Sequence, residues 1–164
     1  MGRDQQTGRW ELDLSLGMKI EAGKIHLSVP TESTLVDDGM CFGCGRNNPG
    51  GLNLNFLWDG DTCITRFVAE TRLQGWAGRV HGGILALVLD EVMSRVALER
   101  HGRIWVTADL STRYLRPAPI GQMLVATARV ELLRRSLIVC TADVALEASC
   151  EILAVGRAKM MRAK

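Results

Sequence analysis

Between residues 84 and 100 the apolar side chains Leu85, Val88, Leu89, Val92 and Val96 recur at helical spacing, which predicts a helix. Its first turns are apolar on nearly every side. A helix lying on a surface would expose that apolarity to water, so other elements are expected to wrap around it. On both sides of this segment the period falls to two. Residues 52–58 set Leu52, Leu54 and Phe56 against Asn53 and Asn55, Asp59-Gly60-Asp61 supplies a turn, and 63–69 returns as the second strand of a hairpin. After Gly102, Ile104, Val106, Ala108, Leu110 and Tyr114 are expected on one face of a strand. Thr107, Asp109, Ser111 and Arg113 take the other, until Pro117-Ala118-Pro119 stops it. Residues 121–134, 137–146 and 151–162 predict three more strands, with turns at Arg135-Ser136 and Ala148-Ser149. Strand, strand, helix and four strands, with a helix apolar all round, fit an α+β fold in which an antiparallel sheet curls about one central helix.

Residues 1–35 show no sustained period, although 19–29 could alternate as a strand. They are read as an N-terminal extension, and 36–164 as the single domain. Residues 37–51 carry Gly39, Gly43, Gly45, Pro49, Gly50 and Gly51 and predict a long ordered loop. At 164 residues, 47% hydrophobic and 23% charged, the chain has the composition of one folded domain rather than of a disordered one. A formal net charge of +2 gives no reason to expect nucleic acid as a partner. The longest aliphatic run, 84–89, falls far short of the roughly 20 residues a membrane helix needs, and residues 1–6 lack a signal peptide's apolar segment. No membrane partner and a cytosolic location are therefore expected. Five cysteines, an odd number scattered along a core-forming chain, suit reduced thiols better than a disulfide framework.

His81-Gly82-Gly83 falls at the predicted start of the helix, where backbone N–H groups lack partners and the dipole favours negative charge. Two glycines allow a ligand close to those amides. The segment can serve as an oxyanion hole for a carbonyl oxygen, or as a tight turn with His81 as its cap. Further along, Glu91 has Arg95 at i+4 and reads as half of a surface ion pair. Asp90 has no basic partner on its own helix; its face runs Gly83, Ala86, Asp90, Ser94, Ala97, and a carboxylate among small residues suits close approach of a ligand or another backbone. Nine residues of helix put about 13 Å between His81 and Asp90, too far for one reaction centre. Two chains paired about a twofold axis, helices antiparallel, would bring Asp90 of one beside His81-Gly82-Gly83 of the other.

Cys41-Phe42-Gly43-Cys44 has the spacing of half a zinc site. Neither Cys63, Cys140 and Cys150 nor His26 and His101 forms a matching second half, so the pair is expected to be structural and reduced, with no metal. Gly43-Cys44-Gly45 fits neither the phosphate-loop nor the dinucleotide template. Arg113, Arg116, Arg134 and Arg135 near strand ends form either a solvated rim or a landing place for the phosphates of a nucleotide-bearing substrate.

Gly75-Trp76-Ala77-Gly78-Arg79-Val80-His81-Gly82-Gly83, with Asp90 nine residues after the histidine, followed by Thr107-Ala108-Asp109-Leu110-Ser111-Thr112-Arg113-Tyr114-Leu115-Arg116-Pro117, resembles the hotdog-fold acyl-CoA thioesterases of the phenylacetate-pathway type. Cys41-Phe42-Gly43-Cys44-Gly45 and the following Asn48-Pro49 to Gly51-Leu52 resemble a signature of one subgroup. The likeness spans roughly residues 40–162. It implies a curled sheet around a long helix, a homodimer with a continuous sheet and often a dimer of dimers. It also implies Asp90 as general base or nucleophile, Gly82 or Gly83 polarising the thioester carbonyl, His81 ordering the site, and Thr107 at a hydroxyl position that holds the attacking water in some members. An amide side chain lies six residues before the histidine in some relatives; Gly75 takes that place here, with Gln74 just before it. The expected activity is hydrolysis of acyl-CoA to a free acid and coenzyme A without cofactor or metal. The alternative is a non-catalytic hotdog protein that binds acyl-CoA as a sensor.

Overall fold

The structure is a computed structural model that describes residues 35–101 and 104–163, together with four short strands nearer the start. The chain forms two compact units, one of Met1–Ser33 with Lys164 and one of Thr34–Ala163. In the first, β1 (Gly2–Arg3) pairs with β2 (Trp10–Glu11), and β3 (Met18–Glu21) with β4 (Lys24–Leu27), both antiparallel. The stretch 19–29, which could alternate as one strand, contributes over its described residues to two paired strands, β3 and β4. The rest of the expected N-terminal extension lies outside the described residues.

The second unit follows the predicted order: β5 (Phe56–Asp59), β6 (Thr62–Val68), a single 3-10 turn at Thr71–Leu73, α1 (Gly82–His101), β7 (Trp105–Tyr114), β8 (Met123–Leu133), β9 (Leu137–Leu146) and β10 (Glu151–Arg162). The six strands make one sheet in the order β5-β6-β8-β9-β10-β7, antiparallel at every step. This is the curled sheet around a long helix that defines the hotdog fold. Gly60, with φ +55°, closes the β5–β6 hairpin in the left-handed region that glycine adopts without strain. Helix α1 buries Leu85, Val88, Leu89, Val92, Met93, Val96 and Ala97. They pack on alternate residues of the sheet, among them Leu124, Ala126 and Ala128 of β8, Ile138, Cys140 and Val144 of β9, and Ala154, Ala158 and Met160 of β10. Gly156 belongs to that row because a Cβ there would come 3.3 Å from the Leu89 side chain, so its absence lets helix and sheet approach. No helix of the described residues is long and apolar enough to cross a membrane.

Strand β7 departs from the simple alternation expected of it. Asp109 lies opposite Lys159, but Thr107 lies opposite Met160, so Ala108 is an extra residue, a β-bulge. One inserted residue reverses the phase of everything before it. Trp105 is buried and Thr107 reaches a helix side chain, on the same face as Leu110, which lies across from buried Ala158. Asp109 instead turns outward to pair with Lys159 at 2.9 Å. The expectation that Thr107 shares a face with Asp109, Ser111 and Arg113 is thereby corrected.

Candidate active site

Loop 74–81 delivers the chain to the helix. Gln74 and Val80 form a β-bridge, Arg79 bridges Pro119, and the His81 N–H donates to the Leu73 carbonyl at 2.9 Å. The Gln74 side chain is used locally, its Oε1 accepting from the Gly78 N–H at 3.3 Å. His81 caps the helix with its own ring: Nδ1 accepts from the Gly83 N–H at 2.9 Å, which requires that nitrogen to be unprotonated. The Gly83 amide is therefore occupied, whereas the Gly82 N–H has no acceptor among the described residues. A Cβ on Gly75 would come 3.1 Å from the His81 ring, so the imidazole packs over the position where some relatives carry an amide. Tyr114, at the end of β7, lays its ring against Gly82 and donates its hydroxyl to the Gly82 carbonyl at 2.9 Å. Tyr114 is absent from the residues picked out by sequence; only its alternation with Leu110 hinted that it faces the helix.

Asp90 sits half-buried in the middle of α1. The bulge in β7 turns Thr107 toward it, and the Thr107 hydroxyl donates to Asp90 Oδ1 at 2.8 Å, leaving Oδ2 without a partner among the described residues. Burial pushes the Asp90 carboxyl above the usual carboxylate range; the Thr107 hydrogen bond pulls the other way, and the neighbouring Glu91 charge adds to the rise. Within one chain, Asp90 with Thr107 and His81 with Gly82, Gly83 and Tyr114 form two separate groups at different depths of the helix.

Glu91 does not pair with Arg95. Arg95 stacks over Phe56, 4.7 Å from the ring centre, and bonds to Glu99 at 3.4 Å, while Glu91 Oε1 accepts from the Cys41 thiol at 3.1 Å. The loop before β5, remote in sequence, reaches the helix and takes Glu91 from its i+4 neighbour. Cys41, Cys44 and Glu91 hold ligand-capable atoms all within 4.8 Å of one another. Burial first, then the nearby Glu91 and Cys41, push the Cys44 thiol up to about 12. The four arginines are not gathered into one cluster. Arg113 lines a groove of about 440 Å³ on the sheet face turned away from α1, with Ser111, Arg129 and Arg157. Arg116 pairs with Glu151 at 3.4 Å. Arg134 and Arg135 meet Arg162 in a recess beside His101 and Trp105. Their separation follows from their strands, which end at different corners of the sheet.

The model of the thioesterase superfamily matches residues 77–149. Human acyl-coenzyme A thioesterase 13 is 32% identical over 82 residues, 49% of this chain and 58% of that protein, so the chain spans less than two thirds of the curated relatives it matches. Zebrafish thioesterase superfamily member 2 superposes with a TM-score of 0.63 at 23% identity, covering 71% of this chain and 89% of its own. The E. coli PaaI protein of the phenylacetic acid degradation operon gives 0.62 at 21% identity, covering 68% and 84%. The resemblance to hotdog-fold thioesterases that the sequence carries is borne out in both family match and fold.

Proposed function

We propose that this chain, hotdog in fold and matched to the thioesterase superfamily across its central helix, is a thioester hydrolase that cleaves acyl-CoA to a free acid and coenzyme A. The observation that carries the reading is the Asp90 carboxylate, half-buried on the central helix and oriented by Thr107 so that Oδ2 stays available. A thioester carbonyl needs one positioned base or nucleophile and a donor for its developing negative charge; such a donor alone is typically worth about a hundredfold or more in rate. The Gly82 N–H at the helix N-terminus is the donor. It is preferred to Gly83, whose amide His81 already engages. Acting as base, Asp90 takes a proton from water as the water oxygen bonds to the carbonyl carbon; the oxyanion rests on Gly82 until the C–S bond breaks and the thiolate of coenzyme A leaves with the proton. Acting as nucleophile, Oδ2 bonds to the carbonyl carbon, the C–S bond breaks and coenzyme A leaves as thiolate; water then opens the anhydride, returning the Asp90 carboxylate and giving its proton to the thiolate.

Because the two groups lie about 13 Å apart on one helix, the reading requires a homodimer in which Asp90 and Thr107 of one protomer face Gly82 of the other. Strand β7 ends the sheet with its outer edge unpaired among the described residues, and Val106, Leu110 and Tyr114 on it are 37, 37 and 51% exposed. An edge with such side chains supports pairing with a second copy. Arg134 and Arg135, with Arg162, are proposed to meet the phosphates of coenzyme A, Arg113 and Arg116 serving only if the partner brings them near. Following coenzyme A thiol release from short, long and aryl acyl-CoAs tests the whole reading. Turnover lost in Asp90→Asn supports it; tight binding without turnover of any of them supports the sensor alternative, to which the missing amide at Gly75 gives some ground.

A further inference from the structure

We propose that Cys41, Cys44 and Glu91 form a binding site for one zinc ion, with water as the fourth ligand, and that the ion fastens loop 37–54 to helix α1. The proposal stands independently of the thioesterase reading. Two sulfurs and a carboxylate oxygen from segments 50 residues apart converge within 4.8 Å. Tetrahedral zinc with bonds of about 2.3 Å to sulfur and 2.0–2.2 Å to oxygen sets ligand atoms about 3.6–3.8 Å apart, so closing on the ion asks for about 1 Å or less at each side chain. Among the described residues no cation neutralises the group, since Arg95 is engaged with Phe56 and Glu99.

The surroundings are shaped for it. A Cβ on Gly43, between the two cysteines, would fall 2.3 Å from Glu91 Cγ and Cδ, so glycine is what lets the carboxylate enter the Cys-Phe-Gly-Cys turn. A Cβ on Gly45 would strike the backbone of Cys41 and Gly39 at 2.4 Å, which keeps the turn tight. Its backbone is held throughout: Gly45 N–H to the Cys41 carbonyl, Leu52 to Phe42, Leu54 to Gly43, with Asn47 and Asn48 tying back to Asp38 and Met40. The thiols are thus positioned before any ion arrives, which reduces the ordering that binding requires. The cluster lines a groove of about 600 Å³ with Val36, Met40 and Ser94, so the fourth position is open to water. On binding, each thiol gives its proton to solvent as the sulfur–metal bond forms, and nothing is oxidised or reduced.

The test uses the full chain, stripped with a chelator under a phosphine reductant and titrated with cobalt(II), then zinc. One cobalt per chain, with thiolate-to-cobalt charge-transfer and tetrahedral d–d absorption, displaced by zinc and accompanied by a higher melting temperature, is the expected result. Cys44→Ser should abolish the charge-transfer bands, and Cys41→His, which keeps three ligands, should still bind with one thiolate's share of absorption lost. Glu91→Gln, which retains an acceptor for Cys41, should weaken binding by at least the roughly tenfold to hundredfold that even an outer-sphere partner is worth. Cys150→Ser, on an exposed turn, should bind as wild type. Reduced, folded wild type that takes up far less than one ion at saturation overturns the proposal. So does uptake unchanged in Cys44→Ser or Glu91→Gln, or a Cys41–Cys44 disulfide that persists in reducing buffer without metal uptake.

Discussion

At Asp90 a half-buried carboxylate is held by one hydroxyl, and function and stability pull in opposite directions. In the proposed role of base or nucleophile it must be ionised to work. Because burial raises its pKa, kcat/KM should fall on the acid side at a pH above the ordinary carboxylate range of about 4. Thr107→Val removes the bond that favours the ionised form, so the acid limb should move to higher pH and kcat should drop, with Thr107→Ser restoring both; a pH–rate profile decides. The stability sign is the reverse. A carboxyl whose folded pKa lies above its unfolded value stabilises the fold at low pH and loses that contribution as pH rises through the folded pKa. Asp90→Asn, which keeps an acceptor for Thr107, should therefore melt higher than wild type at neutral pH, with the gap closing in acid, while kcat falls about a hundredfold to ten-thousandfold. Asp90 was legible in the sequence because its helix offers no cation. Glu91 was misread for the complementary reason: i+4 spacing sees only its own helix, and the Cys41 thiol that claims it comes from a loop.

The order of elements was plain from the periods because strands buried on one face and a helix buried on all sides leave different spacings. What the periods concealed was the bulge at Ala108, since Thr-Ala-Asp carries no glycine or proline to announce it. Yet the bulge is what points Thr107 at Asp90 while Leu110 and Tyr114 keep facing the helix. Inserting a second alanine beside Ala108 should shift the phase once more and turn Trp105 and Thr107 outward. The expected outcome is a large loss of thermal stability together with loss of turnover. At the other end of β7, Tyr114→Phe removes the hydroxyl that donates to the Gly82 carbonyl. A stability loss of about 0.5–1.5 kcal/mol in denaturant unfolding is expected. Any loss in kcat should exceed that in KM, since the bond fixes the helix start that carries the Gly82 amide.

For the whole molecule, the hotdog topology was readable from the periods of one chain, whereas the proposed pairing of two chains leaves its mark only as the distance between His81 and Asp90 and as the exposed edge of β7. The arginines show the same limit: nearness along the chain placed four together, and the sheet sent them to separate corners. The central claim is that Asp90 of one protomer works on a carbonyl held at Gly82 of the other. It is tested by mixing two variants, Asp90→Ala and His81→Ala, after confirming that each homodimer is severely impaired. A heterodimer then has one site bearing both lesions and one bearing neither. With equal mixing and free exchange about half the dimers are mixed, so roughly a quarter of wild-type sites should return. Recovery of acyl-CoA hydrolysis near that level is the predicted result, and verified heterodimers as inactive as their parents would contradict it.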